Sequence, residues 1–169
     1  MADPSERQSG LDLLKAPGAS SSLLLLLLPV LALSGRGNQG AAFVRLGEAR
    51  PLAQWEPSSL LRADVDCDGV EDVAALGHHA GDLVVAVVPG SGAEPETFQF
   101  AISGSRQDAI CNVPARLELA PLAEDPPQGV QGFRRSETCQ GLRLSGEFCN
   151  HDVFLYWNHQ TNHLDWWRR

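Results

Sequence analysis

The stretch VEDVAALGHHAGDLVVAVVPG, residues 70–90, decides the fold of this chain. It contains two apolar runs of strand length, residues 72–77 and 83–88, with a glycine-containing turn between them. The second run is apolar throughout and stops at Pro89-Gly90. Such a run is typical of a strand that is covered on both faces or lies at the centre of a sheet. The stretch therefore predicts a β-hairpin, with His78 and His79 in its turn.

Outward from this hairpin the chain repeats the pattern of short strands. Residues 50–59 are broken by Pro51 and Pro57 and are expected to be a loop that buries Trp55. Glycine or proline recurs every eight to twelve residues, and no long helical apolar stripe follows the N-terminal segment. These features predict an all-β, antiparallel single domain, either a sandwich or a partly open barrel built from hairpins. We predict strands over 41–47, 58–63, 97–102, 116–122, 153–157 and 164–167, a connector over 124–132, and a strand-and-turn unit over 141–149.

The N-terminus has the pattern of a targeting segment. Residues 23–33 form an apolar run of about eleven residues, which is too short to span a bilayer stably. Ala32-Leu33-Ser34 is a candidate cleavage site and Gly40-Ala41-Ala42 is a second. We therefore predict a signal or leader segment, cleavable or disordered, over 1–34 and a single β domain over 35–169. The charges before the run nearly cancel, which is unusual for a signal peptide; a true start near Leu13 or Leu14 and a membrane anchor are the alternatives.

Charge limits the classes of partner. The formal net charge is −8, and charged residues make up 20% of the chain, which gives no basic face for a nucleic acid. Five of the acidic residues lie within residues 64–72. The acidity is therefore largely local, which favours a bound cation over a generally acidic surface.

The chain has four cysteines, all after the proposed leader: Cys67, Cys111, Cys139 and Cys149. An even number in an exported domain predicts two disulfides, and with them a periplasmic or secreted location. Three pairings are open. We favour Cys67–Cys111 with Cys139–Cys149, because the second pair brackets the predicted strand and turn. A zinc site is disfavoured, since no CxxC pattern is present; free cysteines remain the other alternative.

Residues 64–72, DVDCDGVED, form what we call the acidic loop. Aspartates stand at loop positions 1, 3, 5 and 9, and Gly69 at position 6 allows the sharp turn that a cation loop needs. An EF-hand is disfavoured, because position 12 is Ala75 rather than Glu and strand-like sequence follows. The other interpretation is an acidic turn without metal, for which Asp68-Gly69 is already suitable.

The acidic loop and the apolar strand after it resemble the calcium loop of FG-GAP or VCBS repeats. The resemblance covers about fifteen residues. It implies a calcium ion held by side-chain oxygens of Asp64, Asp66, Asp68 and Asp72 and by the carbonyl of Val70. Those families repeat the motif around a propeller, whereas this chain has one copy, and position 4, often Gly, is Cys67. The resemblance therefore implies the loop and its hairpin but not the propeller.

Aromatic residues are concentrated near the C-terminus. Neighbouring strand residues point to opposite faces, so one set must be core, and the other is either a second core face or an exposed patch. The candidate surface for a protein or glycan partner comprises Tyr156, Trp157, Trp166 and Trp167. A nearby polar cluster is the other candidate site: His151, Asp152, His159, His163 and Asp165. We interpret its histidines as turn residues, with His159 and His163 flanking a hairpin turn, rather than as ligands of a transition metal.

No GxSxG, HExxH or P-loop pattern is present, so we predict that the chain is not an enzyme. The expected function is an exported, calcium-stabilised, disulfide-bonded β-domain that acts as a binding or structural module, with no membrane span in its mature form. The alternative is a periplasmic inhibitor or immunity-type protein that blocks a partner enzyme. An uncharacterised hydrolase is the third hypothesis.

Overall fold

The computed structural model describes residues 34–104, 110–123, 125–127 and 129–169, with side chains from residue 40 onward. The predicted leader thus lies outside the described residues except for Ser34. The described residues belong to one compact unit. Its elements are helix α1 (Ser34–Ala49), a 3-10 turn (Pro57–Ser59), and strands β1 (Gln54–Trp55), β2 (Leu61–Ala63), β3 (Asp72–His79), β4 (Asp82–Val88), β5 (Glu96–Phe100), β6 (Ala115–Leu122), β7 (Ser136–Gly146), β8 (Val153–Asn158) and β9 (His163–Arg168).

The strands form two antiparallel sheets that do not close into a barrel. The first sheet has the order β1-β3-β4-β5, and β2 also pairs with β3. The second sheet has the order β6-β7-β8-β9. The predicted all-β, antiparallel class is confirmed. Of the helices in the described part of the chain, none combines the length and the apolarity that crossing a bilayer requires.

The predicted hairpin is β3 and β4, paired from Val73↔Val88 to His79↔Asp82. Its turn is shorter than the sequence suggested, because His78 and His79 are the last residues of β3. The turn residues Ala80 and Gly81 have φ values of 52° and 88°. Two successive positive φ values give a two-residue turn whose twist matches that of the strands.

Both faces of this hairpin are covered, which explains its unbroken apolar sequence. Leu76 and Val85 belong to the core between the sheets, where they pack with residues of the second sheet such as Leu142. Ala75 and Ala86 point to the other face and pack with Leu46 of α1. The prediction of a doubly covered strand is confirmed.

Residues 41–47 were expected to form a strand, and this prediction is wrong, because they lie in α1. Helical spacing brings Ala42 and Leu46 to one face, four residues apart, and both are buried on the outer face of the first sheet. The Arg45 guanidinium also donates hydrogen bonds to the carbonyl oxygens of Pro89, at 2.8 Å, and Ala93. The helix is thus an integral layer of the domain.

Two further expectations are corrected. Residues 141–149 do not fold as a separate strand-and-turn unit, because β7 continues unbroken to Gly146 between β6 and β8. Residues 50–59 are not wholly loop, since they contain β1 and the 3-10 turn. Trp55 is half-buried against the α1 layer. Its ring lies so close to Gly77 that a Cβ there would approach it to 2.7 Å.

Candidate functional site

The acidic loop joins β2 to β3 and brings three aspartates together. Asp64, Asp66 and Asp72 each offer a carboxylate oxygen, and these three atoms lie within 4.8 Å of one another. Carboxylate oxygens are the donors that hard cations prefer. These three residues, which we call the aspartate cluster, could hold a metal ion.

The first half of the loop is folded by its own backbone amides. The Asp68 N–H donates to Oδ1 of Asp64 at 3.1 Å and to Oδ1 of Asp66 at 3.0 Å. The Gly69 N–H donates to Oδ2 of Asp64 at 3.0 Å. Gly69 has φ 85°, so the sharp turn predicted at this position is present. The chain therefore wraps around the aspartates rather than splaying away from them.

Asp72 is the best-anchored member of the cluster. It is fully buried at the start of β3. Its Oδ2 accepts hydrogen bonds from the N–H groups of Val65, at 2.7 Å, and Asp66, at 3.1 Å. Its Oδ1 accepts one from the N–H of Gly90 at 2.8 Å. A carboxylate has about four acceptor positions, so about one remains for a cation.

The pKa of one member of the cluster, Asp66, is raised. Burial, followed by the negative charge of Asp72, raises the pKa of Asp66 to about 6, although the hydrogen bond from the Asp68 amide acts in the opposite direction. A bound cation would oppose both of the main causes, because it supplies positive charge where water has been removed.

The structure groups three of the five residues proposed as ligands. Asp68 is exposed and lies outside the aspartate cluster, and its Oδ1 accepts a hydrogen bond from the Val70 N–H at 2.7 Å. Val70 itself is exposed. The assignments of Asp68 and of the Val70 carbonyl as ligands therefore remain predictions.

All four cysteines are in disulfides, but the predicted pairing is wrong. The bonds are Cys67–Cys139 and Cys111–Cys149. Cys139 lies near the start of β7, while Cys149 follows its end. A strand advances about 3.3 Å per residue, so the unbroken strand puts these two cysteines far beyond bonding distance. The pairing failed because a turn was expected within β7.

The observed pairing ties the acidic loop to the second sheet. Cys67, between Asp66 and Asp68 in the loop, is bonded to Cys139 of β7. The next residue of that strand, Gln140, donates its N–H to the Asp64 carbonyl at 2.9 Å. Cys67 also has φ 61°, so the loop turns sharply at the bonded residue. Sequence reasoning missed this junction, although a cysteine at position 4 of the loop was its signal.

Two of the four residues of the candidate partner surface, Tyr156 and Trp167, belong to a second, smaller core. Tyr156 is 1% exposed and packs against Phe133 and Trp167. Its hydroxyl donates to the carbonyl of Gln131 at 2.8 Å. Tyr156 is thus wrongly included in the candidate partner surface, because Phe133, in the segment between β6 and β7, packs over it.

The three tryptophans of the candidate partner surface are half-buried. Trp157 and Trp166 pack against the core between the sheets, and Trp167 stacks on Phe154 with 5.6 Å between ring centroids. Their apolar surface is thus largely used in packing, which leaves no large exposed aromatic patch among these four residues.

His159 and His163 flank the β8–β9 turn, as predicted. His163 opens β9, and its Nδ1 lies 2.9 Å from Oε1 of Glu96. His159 follows β8, and burial, together with the positive charge of Arg134, lowers its pKa. Within the described residues, the C-terminal polar group forms no cluster of three or more metal-ligating atoms.

Comparisons of the chain with protein-family models, with curated proteins and with solved structures found no match.

Proposed function

We propose that the chain is an exported β-domain that is stabilised by calcium at its acidic loop and acts as a binding or structural module. The observation that carries the cation part of the proposal is the convergence of Asp64, Asp66 and Asp72 within 4.8 Å. The two disulfides support export, because such bonds persist in oxidising compartments.

The chemistry of the donor set favours calcium over zinc. The aspartate cluster offers oxygen atoms alone, and the nearest thiol, that of Cys67, is occupied in a disulfide. Zinc sites usually include Cys or His ligands, whereas calcium is held by carboxylate and carbonyl oxygens. Asp64, Asp66 and Asp72 would hold the ion, and Asp68 and Val70 are the candidates to complete its shell. The ion would supply positive charge that holds the loop together.

The expected effect of the ion is structural. An extracellular module of this kind binds calcium with a Kd of about 10⁻⁴–10⁻³ M, so millimolar calcium adds about 0.4–1.4 kcal/mol to the free energy of unfolding. This is enough to order a loop. We propose no catalytic step at the site.

Thermal unfolding in a calcium titration tests the cation part of the proposal. We expect calcium to raise Tm by a few degrees relative to chelator, and the Asp64→Asn variant to lose this shift. Glu94→Gln is the matched control, because it removes one exposed carboxylate outside the loop and should keep the shift. If Tm does not respond to calcium, or responds equally in Asp64→Asn, the cation proposal fails.

Export has its own test. The N-terminus of the protein recovered from outside the cytoplasm should begin near one of the two candidate cleavage sites. Recovery of an exported protein that still carries Met1 would contradict a cleaved leader.

A further inference from the structure

The turn Gly146-Glu147-Phe148-Cys149, which we call the Phe148 turn, joins the end of β7 to the segment before β8. It is closed by a hydrogen bond from the Cys149 N–H to the Gly146 carbonyl at 3.2 Å. Phe148 is 88% exposed, and its φ is 61°. A bulky residue at positive φ costs conformational energy, and an exposed aromatic ring gains nothing from burial. Phe148 is therefore doubly unfavourable for the isolated fold.

The turn is held rigidly. Cys149 is bonded to Cys111, and the Glu147 N–H donates to the Pro114 carbonyl at 3.1 Å. Gly146 is required at its position, since a Cβ there would lie 2.4 Å from Sγ of Cys149. The ring of Phe148 is thus presented on a braced support, which lowers the entropy that a partner must overcome on binding.

We propose that the Phe148 turn is the contact surface of this domain for a folded protein partner, with Phe148 as the anchor that enters an apolar pocket. This inference rests on the proposed binding role. Residues held in strained backbone conformations cluster at active sites and ligand-binding sites. Val113 is 46% exposed and directly precedes Pro114, whose carbonyl accepts the hydrogen bond from the Glu147 N–H. Phe148 is thus the aromatic centre of a small contact, as hot-spot anchors usually are.

Charge favours a protein over a lipid surface. Glu147 is exposed beside the ring, and the chain as a whole carries a net charge of −8. Bilayer surfaces rich in anionic lipid repel such a tip. A protein pocket with a basic rim complements it, because the carboxylate of Glu147 would then face positive charge.

The first test asks whether Phe148 supports the fold. In Phe148→Asn and Phe148→Gly the strain is relieved, because Asn and Gly tolerate positive φ. We expect Tm to stay equal or to rise in both variants, and the calcium-induced shift to be unchanged. A Tm lowered in both variants as strongly as by a core truncation would show that the ring packs, and would overturn the proposal.

The second test identifies the partner. A photoreactive phenylalanine analogue is placed at position 148 of the full chain, in the cells that produce the protein. The control carries the same analogue at position 52, because Leu52, between α1 and β1, is also an exposed apolar residue, at 79%. We expect one discrete protein adduct at 148 that is missing at 52. The purified partner should bind Phe148→Ala about tenfold or more weakly than wild type, and Leu52→Ala normally.

The remaining outcomes overturn the inference. They are an adduct with a second copy of this chain, no adduct specific to position 148, unchanged affinity of Phe148→Ala, or Phe148-dependent binding to phosphatidylcholine–phosphatidylglycerol vesicles. The cation proposal is judged separately by the calcium-induced change in Tm. If calcium does not change Tm but a partner that depends on Phe148 is found, the cation proposal fails and the proposed contact surface stands.

Discussion

Cys67 of the acidic loop and Cys139 of β7 are bonded with 5.3 Å between their Cα atoms, and Cys67 stands between two of the loop aspartates. The covalent link between the sheets therefore passes through the candidate cation site. The other bond, Cys111–Cys149, lies outside the loop. This difference makes the two disulfides a matched pair for experiment.

Replacing both cysteines of one disulfide by Ser, in two separate double variants, should distinguish the effect of each bond on stability from its effect on the candidate cation site. The bonds span 72 and 38 residues. By the loop-entropy estimate each adds about 4 kcal/mol to the free energy of unfolding. We expect denaturant unfolding to show similar losses for the two double variants. Calcium affinity, measured by titration calorimetry on the folded fractions, should fall in the Cys67/Cys139 variant alone. Equal affinity in both variants would mean that the bond does not position the loop.

Asp72→Asn should destabilise the domain even in chelator. An amide has one acceptor oxygen, so at least one of the backbone N–H groups that Asp72 satisfies is left without an acceptor in a buried site. We expect a loss of about 2 kcal/mol or more, measured by urea unfolding. Asp82→Asn is the control, because Asp82 is half-buried and accepts from the Gln99 side chain; its effect should be about 0.5 kcal/mol or less. Equal losses in the two variants would contradict the anchoring role of Asp72.

Helix α1 should be necessary for the stability of the domain. Leu46 is fully buried on the first sheet, whereas Val44 of the same helix is 60% exposed. Leu46→Ala should cost about 2–5 kcal/mol of unfolding free energy, and Val44→Ala about 0.5 kcal/mol or less. Thermal or urea unfolding checks both variants. Equal, small effects would show that the helix does not pack on the sheet in solution.

Tyr156 should ionise at a higher pH than an ordinary tyrosine. Because the chain contains one tyrosine, its titration can be followed directly by absorbance. Burial, then the charge of Asp165 and its hydrogen bond, raises the pKa of Tyr156 to about 12. The folded state therefore holds this proton more tightly than the unfolded state. The raised pKa of Tyr156 therefore adds to the free energy of unfolding below pH 10, and this contribution is lost as pH rises through about 12. Absorbance of tyrosinate should show a midpoint near 12 in the native protein and near 10 in denaturant; coincident midpoints would contradict the burial.

The sequence predicted the elements whose patterns are local. The unbroken apolar run 83–88 predicted a doubly covered strand, and the structure confirms it as β4. The alternation of aspartates predicted a loop that converges, and three of the four come together. Each of these inferences used residues that are close in sequence, no further apart than the two strands of one hairpin. At that range the alternation of side chains and the residues preferred in turns are sufficient to predict the structure.

The errors arose where distant packing decides the outcome. Residues 41–47 are short and apolar enough for a strand, and helix was selected by the outer face of the first sheet, which Leu46 covers. The predicted Cys139–Cys149 bond required the chain to fold back between the two cysteines, whereas β7 is extended from Ser136 to Gly146. Tyr156 was assigned to a surface because Phe133, which packs against it, lies between β6 and β7 in a segment without a strand pattern.

The separation of 72 residues between Cys67 and Cys139 has a consequence for biosynthesis. The first sheet is complete in sequence by Phe100, so its hairpins can pair while the rest of the chain is still being made. The acidic loop cannot be closed at that stage, because both its sulfur partner and the Gln140 amide arrive with β7. A chain truncated before β7 would therefore carry all the aspartates of the loop without its finished shape.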